Sequence, residues 1–257
     1  MTVVSIGFVD LAMGSAVRMQ SSSIDHVITV IPARDEERSI GRCLRSIDAA
    51  RGTLPHRVTS SVVVVLDSCR DDTAAVAARH LDPRRDMLLH ADHGCAGGSR
   101  AIGVDAALRQ PTIEPSRTWV CSTDADSTVP LDWFDVHLDA AKRGHIAIAG
   151  VVRLDGDADP FLLAEFESSY VTHPDGSHPH IHGANLGFRA DAYLAAGGWA
   201  SLTTGEDHDL WHRLAPLGGV LASVGLWVTT ASRLVGRAPS GFAANLAALT
   251  LTSETAA

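Results

Sequence analysis

Asp124 and Asp126 stand one residue apart at the end of the apolar run "RTWVCSTDAD". On an extended chain side chains alternate faces, so these carboxylates would point the same way and repel unless a cation lay between them. Hard oxygen ligands so placed suit Mn²⁺ or Mg²⁺, and such a cation could bridge a diphosphate. The plainer alternative is an acid-rich turn ahead of Pro130. Spacing alone leaves both open. Two further acidic groups follow apolar runs, "PARDEE" after "HVITV" and "DSCRDD" after "SVVVVL". Three acidic groups at one sheet edge would be electrostatically poor without a bound partner, and a divalent cation with a polar substrate is the natural relief.

Those runs are the elements that must position the acids. "HVITVIP" (26–32), "SVVVVLD" (61–67), "DMLLHA" and "RTWVCSTD" read as buried strands, the last ending on the aspartate pair. Between them "DEERSIGRCLRSIDAA", "DDTAAVAARH" and "GGSRAIGVDAALRQ" read as helices, the first with acids in its opening turn. Strands alternating with helices imply right-handed crossovers and a mainly parallel sheet, with ligands beyond the carboxyl ends of the strands. The second half predicts a helix over "LDWFDVHLDAAKRG", a strand over "HIAIAGVVRL" and a helix over "PFLLAEFESSYV". A loop "THPDGSHPHIHG" follows, then a turn or short strand leading to a helix in "NLGFRADAYLAAGGW". "TGEDHDLWHRLAPLG" reads as a helix with Thr204 as its cap, and "VLASVGLWVTT" as a late strand.

Composition narrows the class. A chain of 257 residues with 46% hydrophobic content can bury one substantial core, and the net charge of −9 argues against a nucleic-acid partner. Lys142 is the sole lysine, so arginine richness reflects codon usage rather than anion binding. Four scattered cysteines with no CxxC pair fit reduced thiols in a cytosolic protein. No apolar run reaches the roughly 18–20 residues of a transmembrane segment, which places the chain in the cytoplasm or peripherally at a membrane. Residues 1–24 read as a disordered extension, with Met19 an alternative start, and 25–257 as one domain. Its parts are a nucleotide half (25–130), an acceptor half (131–230) and a C-terminal lid or tail (231–257).

"VIPARDEE", "VVVLDSCRDDT", "GGSRAIGVDAAL", "STDADSTVP", "GANLGFRADAYLAAGGW" and "GEDHDLWHRL" occur in that order, and together they resemble the glycosyltransferases of GT-A fold, family 2. The resemblance implies an α/β fold with a mainly parallel central sheet flanked by helices. It also implies metal-dependent transfer of a sugar from a nucleotide diphosphate sugar, with UDP favoured, to an acceptor hydroxyl with inversion. By that resemblance Asp124 and Asp126 hold Mn²⁺ or Mg²⁺, Asp126 the more directly. Pro32, Ala33, Arg34, Glu36, Asp67, Arg100 and Ala125 join them around the nucleotide sugar, Asp67 facing the base. Asp207, beside Glu206, takes the acceptor's proton. His182, Gly183, Ala184, Asn185 and Trp211 fall on the acceptor side. Arg233 and Arg237 stand where many such enzymes carry a closing loop, with plain surface arginines the alternative.

Asp35 replaces the family's usual asparagine, and "DSCRD" departs from its glycine-containing pattern, which puts uridine in question. The histidines of "HPHIH" read as acceptor contacts, a solvated loop or a structural metal site. The alternatives are a retaining sugar or nucleotidyl transferase of the same fold, a noncatalytic nucleotide-sugar-binding module, and a histidine-rich metal hydrolase.

Overall fold

The structure is a computed structural model that describes residues 23–156, 158–233, 242–244 and 246–248. Arg237, and the segment 1–22 read above as an extension, lie outside the described residues.

Four strands run parallel at the front of the sheet: β1 (His26–Ala33), β2 (Thr59–Asp67), β3 (Met87–Ala91) and β4 (Thr118–Ser122). Their valines and isoleucines are buried on both faces, as parallel strands require. Val27 and Ile31 of β1 join Val62, Val64 and Leu66 of β2 on one face, and Ile28 and Val30 join Val63 and Val65 on the other. Helices α1 (Ile40–Arg51) and α4 (Trp133–Lys142) cover the first face; α3 (Ala96–Leu108), α6 (Ala190–Ala195) and α7 (Glu206–Leu214) cover the second. The short α2 (Thr73–Ala78) follows β2.

The sheet order is β3-β2-β1-β4-β7-β6-β8-β5. From β1 the chain moves outward through β2 and β3, then returns to pair β4 on β1's other side. That reversal opens a crevice beyond the carboxyl ends of β1 and β4, where a doubly wound sheet holds its ligand. Beyond β4 the sheet is mixed. β7 (Leu186–Arg189) runs antiparallel to β4 and to β6 (Ala147–Leu154), whereas β8 (Val220–Thr230) is parallel to β6. β5 (Ser127–Thr128), only two residues long and too short for periodicity to show, pairs with the end of β8 and ties the aspartate turn to it. Helix α5 (Pro160–Ser169) packs outside β6 in a small cluster with Leu246.

Three boundaries differ from the sequence reading. Helix α1 starts only at Ile40, so Asp35, Glu36 and Glu37 lie in the loop before it. Strand β4 stops at Ser122, leaving Asp124 and Asp126 in a turn closed by Ser127 N–H donating to the Asp124 carbonyl (3.0 Å). Helix α7 is preceded by Gly205 at φ 76°, a left-handed position suited to glycine, and Thr204 caps nothing.

Helix α3 sits flush on the sheet because Gly103 has no side chain. A Cβ there would stand 2.5 Å from Val30 Cγ2 and 3.0 Å from Val65 Cγ2. Gly103→Ala gains helix propensity but overpacks this contact, so a net loss of about 1–3 kcal/mol is expected as a lower urea midpoint. An unchanged or higher midpoint would contradict the flush packing.

Candidate active site

The crevice is a cavity of about 870 Å³, within the range of pockets that enclose a small organic ligand. Its floor comes from the ends of β1, β2 and β4: Pro32, Ala33, Arg34 and Glu36, then Asp67, then Asp124, Ala125 and Asp126. Arg100 enters from α3. His182, Gly183 and Ala184 form the opposite wall with Glu206 and Asp207, and Thr230 and Arg233 close a further side.

Arg100 is only 2% exposed, and its guanidinium bridges Asp124 Oδ1 and Glu206 Oε1, each at 2.6 Å. The indole of Trp199 lies 5.2 Å from its carbon, on a cation–π contact. Two glycines make room. A Cβ on Gly183 would stand 2.7 Å from the guanidinium, and one on Gly97 would stand 2.3 Å from the Ala200 carbonyl and 2.9 Å from Glu206 Cβ. Burial pushes the Asp124 carboxyl up to about 6, against the pull of Arg100. Asp126 points elsewhere. One of its oxygens pairs with Arg233, which also binds Glu36 Oε1 at 2.7 Å, and the other accepts from Thr230 Oγ1 at 3.3 Å. The aspartates are therefore separated in direction, each facing its own guanidinium.

Glu36 is the acid of its loop that lines the cavity; its neighbours stitch loops together. Asp35 Oδ1 accepts from Arg70 N–H (2.7 Å), Glu37 from Asp72 N–H (3.1 Å), and Asp71 from Glu37 N–H (3.0 Å) and Thr73 N–H (3.0 Å). Asp35 and Ser68 hold left-handed φ of 51° and 56°, conformations that Asp tolerates and glycine supplies. Asp67 does not cap α2. Its Oδ1 accepts from His93 N–H (2.9 Å) and Gly94 N–H (3.0 Å), and its Oδ2 from the Ser99 hydroxyl (3.1 Å). Burial alone would raise this carboxyl; those donors outweigh it and hold Asp67 below its ordinary 3.8.

On the opposite wall Asp207 sits in the first turn of α7, where the helix dipole favours an acid. Its Oδ2 accepts from Gly183 N–H at 2.9 Å and its Oδ1 from His208 N–H at 2.8 Å. Two residues expected on this side do not reach the cavity. Asn185 is fully buried, with its amide spent on the Val151 and Leu226 carbonyls (2.9 and 3.2 Å) and on Trp133 Nε1–H (3.0 Å). Trp211 packs half-buried against the core under α7 and is not among the residues that line the cavity. The loop histidines do not converge as metal ligands; His178, His180 and His182 stack face to face at 5.9 and 6.0 Å between ring centroids. Among the described residues the one cluster with metal-ligand proximity is Asp35, Cys69 and Asp71.

Sequence reasoning passed over Gly94, Cys95, Ser99, Thr203 and Thr230 as cavity residues, read Thr204 as a helix cap where it lines the cavity wall, and missed Tyr170 behind His182. Small residues in loops carry no periodic signal, and Tyr170 reads as the end of an ordinary apolar helix face.

A mainly parallel sheet with helices on both faces, a crevice at its reversal and acids at three strand ends defines the GT-A fold. The family model for glycosyl transferase family 2 matches residues 28–193, and the chain belongs to that family. It is 28% identical over 172 residues to the succinoglycan biosynthesis protein ExoO of Rhizobium meliloti (strain 1021), covering 65% of this chain and 45% of that one. The fold resembles S. aureus TarS 1-349, solved in complex with UDP-GlcNAc, at TM-score 0.61 and 15% identity over 84% of this chain and 61% of that one. It also resembles the mannosyltransferase PcManGT from Pyrobaculum calidifontis, solved with GDP-Man and Mn²⁺, at TM-score 0.58 and 22% identity over 82% and 58%. The chain thus spans between about half and three fifths of the length of these relatives.

Arg100→Met strands Asp124 and Glu206 without their shared cation, and a loss of about 3–5 kcal/mol in urea unfolding is expected; a loss below 1 kcal/mol would contradict the bridge. Asp67's folded value lies below its unfolded one, so its stabilisation is present above about pH 4 and fades as pH falls through the folded value. Asp67→Asn should be less stable than wild type at pH 7, with the gap closing toward pH 2. A gap that stays constant with pH would contradict the assignment.

Proposed function

We propose that the chain transfers a sugar from a nucleotide diphosphate sugar to an acceptor hydroxyl with inversion. The observation that carries this reading is one cavity with Asp67, Arg100, Asp124 and Asp126 on the floor and Asp207 across from them. Pro32, Ala33, Arg34 and Asp67 hold the nucleoside. Among the described residues Asp67 Oδ2 accepts one hydrogen bond, from Ser99, leaving capacity for a ring N–H of the base. Arg34 lines the same floor with no ion-pair partner among the described residues.

Asp126, with Asp124, is the proposed holder of Mn²⁺ or Mg²⁺. The fit rests on an observed feature: both carboxylates already bind cationic groups, Arg233 and Arg100, so each sits where positive charge is favoured. A bound divalent cation supplies Lewis-acid neutralisation of charge on the departing diphosphate. Arg233, freed from Asp126, can turn to the diphosphate, while Glu36 keeps it near. Asp207 accepts the hydroxyl proton as the acceptor oxygen attacks C1 from the face opposite the leaving group. Its two amide partners fix the carboxylate's direction and leave it lone pairs to accept that proton.

A thermal-shift panel of UDP-, GDP-, ADP- and dTDP-sugars with and without Mn²⁺ tests the reading. A raised melting temperature with at least one donor, larger with metal, is expected, and no shift with any donor would refute it. Asp207→Asn should leave that shift intact while lowering turnover by about 10²–10⁴-fold; equal turnover would remove Asp207 as base. Arg233→Met removes a competing cation from Asp126. Mn²⁺ should then bind about tenfold more tightly by calorimetry, and weaker binding would contradict the competition.

A further inference from the structure

His182 lines the cavity beside Asp207, and the proton positions around it follow from counting donors. The Tyr170 hydroxyl oxygen accepts from Val152 N–H at 3.1 Å and lies 2.7 Å from His182 Nε2. The phenol oxygen could accept from both Val152 N–H and an Nε2–H, so the heavy atoms allow either tautomer. The one in which Tyr170 O–H donates to Nε2 is the one that gives the phenol proton an acceptor among the described residues. An imidazole that accepts at Nε2 while neutral carries its proton on Nδ1. Burial keeps it neutral, pushing His182 down to about 4 against the opposing pull of Asp207. Nδ1 makes no hydrogen bond among the described residues and is not sealed from the cavity.

Tyr170 is itself held in place. Its ring stacks on His180 at 3.9 Å between centroids and 28° between planes, and His180 Nε2 is 3.0 Å from the Val171 carbonyl, to which it donates. Phe166 lies against the same ring at 5.1 Å. The residue after His182, Gly183, supplies the N–H that fixes Asp207 Oδ2. The cavity wall thus presents a neutral N–H donor and a carboxylate acceptor side by side.

We infer that His182, its proton fixed on Nδ1 by Tyr170, donates a hydrogen bond to the attacking oxygen of the acceptor. This rests on the transfer reading above. The acceptor hydroxyl gives its proton to Asp207 and takes the His182 N–H on one lone pair, which aims the other at C1. The new oxygen–C1 bond forms as the C1–oxygen bond to the diphosphate breaks, and that electron pair leaves with the nucleoside diphosphate. His182 keeps its proton throughout. Tyr170 and His180 are positioning residues that act through it.

Nitrogen-15 NMR of the histidine side chains tests the tautomer without any substrate. Wild type should show His182 as the neutral Nδ1–H form from pH 8 to pH 5, and Tyr170→Phe should convert part of it to the Nε2–H form. An Nε2–H signal in wild type, or titration near the ordinary 6.5, overturns the inference. The second readout is nucleoside diphosphate release from UDP-N-acetylglucosamine and GDP-mannose with water as the acceptor. His182→Leu should slow release by about tenfold or more with the donor KM unchanged. His182→Asn, which can place an N–H near Nδ1, should recover most of the rate. Equal rates for His182→Leu and wild type overturn the role in transfer. If wild type releases nothing from either donor, the assay is repeated with a donor that shifts its melting temperature in the UDP-, GDP-, ADP- and dTDP-sugar panel. No shift with any of them fails the transfer reading instead, and the NMR result then judges the tautomer alone.

Discussion

The site is organised around a guanidinium buried between two carboxylates. Removing Arg100 from water is costly, and two short ion pairs at Nη1 and Nη2 with the Trp199 face offset that cost, while Nε has no hydrogen-bond partner among the described residues. The three partners come from distant parts of the chain: α3 brings the cation, the turn after β4 brings Asp124, and the start of α7 brings Glu206. Their convergence sets where Asp207 stands, since it follows Glu206 and is held by the N–H of Gly183, itself packed against the same guanidinium. Gly183 matters because it lets backbone lie against the guanidinium, and Gly97 because it lets α3 approach the Ala200 carbonyl and the stem of Glu206.

The same physics accounts for the acidic edge of the sheet. Eight carboxylates crowd the ends of β1, β2 and β4, and four of them, Asp35, Glu37, Asp67 and Asp71, accept from backbone amides and bind one loop to the next. Of the four on the cavity floor, Asp67 is held by amides and a hydroxyl, and Glu36, Asp124 and Asp126 share Arg100 and Arg233. The protein's own arginines therefore balance charge that a metal and a diphosphate would also balance. On the proposed function, ligand binding would exchange these partners, and Arg233 is the better placed to move: its side chain is 39% exposed against 3% for Arg100. Arg100 remains as the fixed charge against which the rest is aligned.

Much of this is legible in the sequence. The β-branched runs at 26–32 and 61–67 give the parallel strands because burial on both faces leaves little choice of residue, and the acids that end them mark the ligand edge. The family resemblance adds the roles. Less legible is which acid does what. Asp35 and Glu36 are adjacent and chemically alike, but one knits two loops and the other lines the cavity, a difference decided by a left-handed φ at Asp35. Asn185 lies within a motif assigned to the acceptor side, yet its amide ties α4 to β6 and β8. The aspartate pair reads as two carboxylates sharing one cation on an extended strand. The strand stops at Ser122, and the turn sends them to different arginines.

Anomalous diffraction at the manganese edge from crystals grown with Mn²⁺ and a nucleoside diphosphate tests the central claim, that Arg233 holds the place of a metal, most directly. The account predicts a manganese peak in coordination distance of the Asp126 carboxylate, with Arg233 turned from Asp126 toward the diphosphate and Arg100 unmoved between Asp124 and Glu206. A nucleotide bound in the cavity with no manganese at Asp126, and Arg233 still paired to it, would contradict that account.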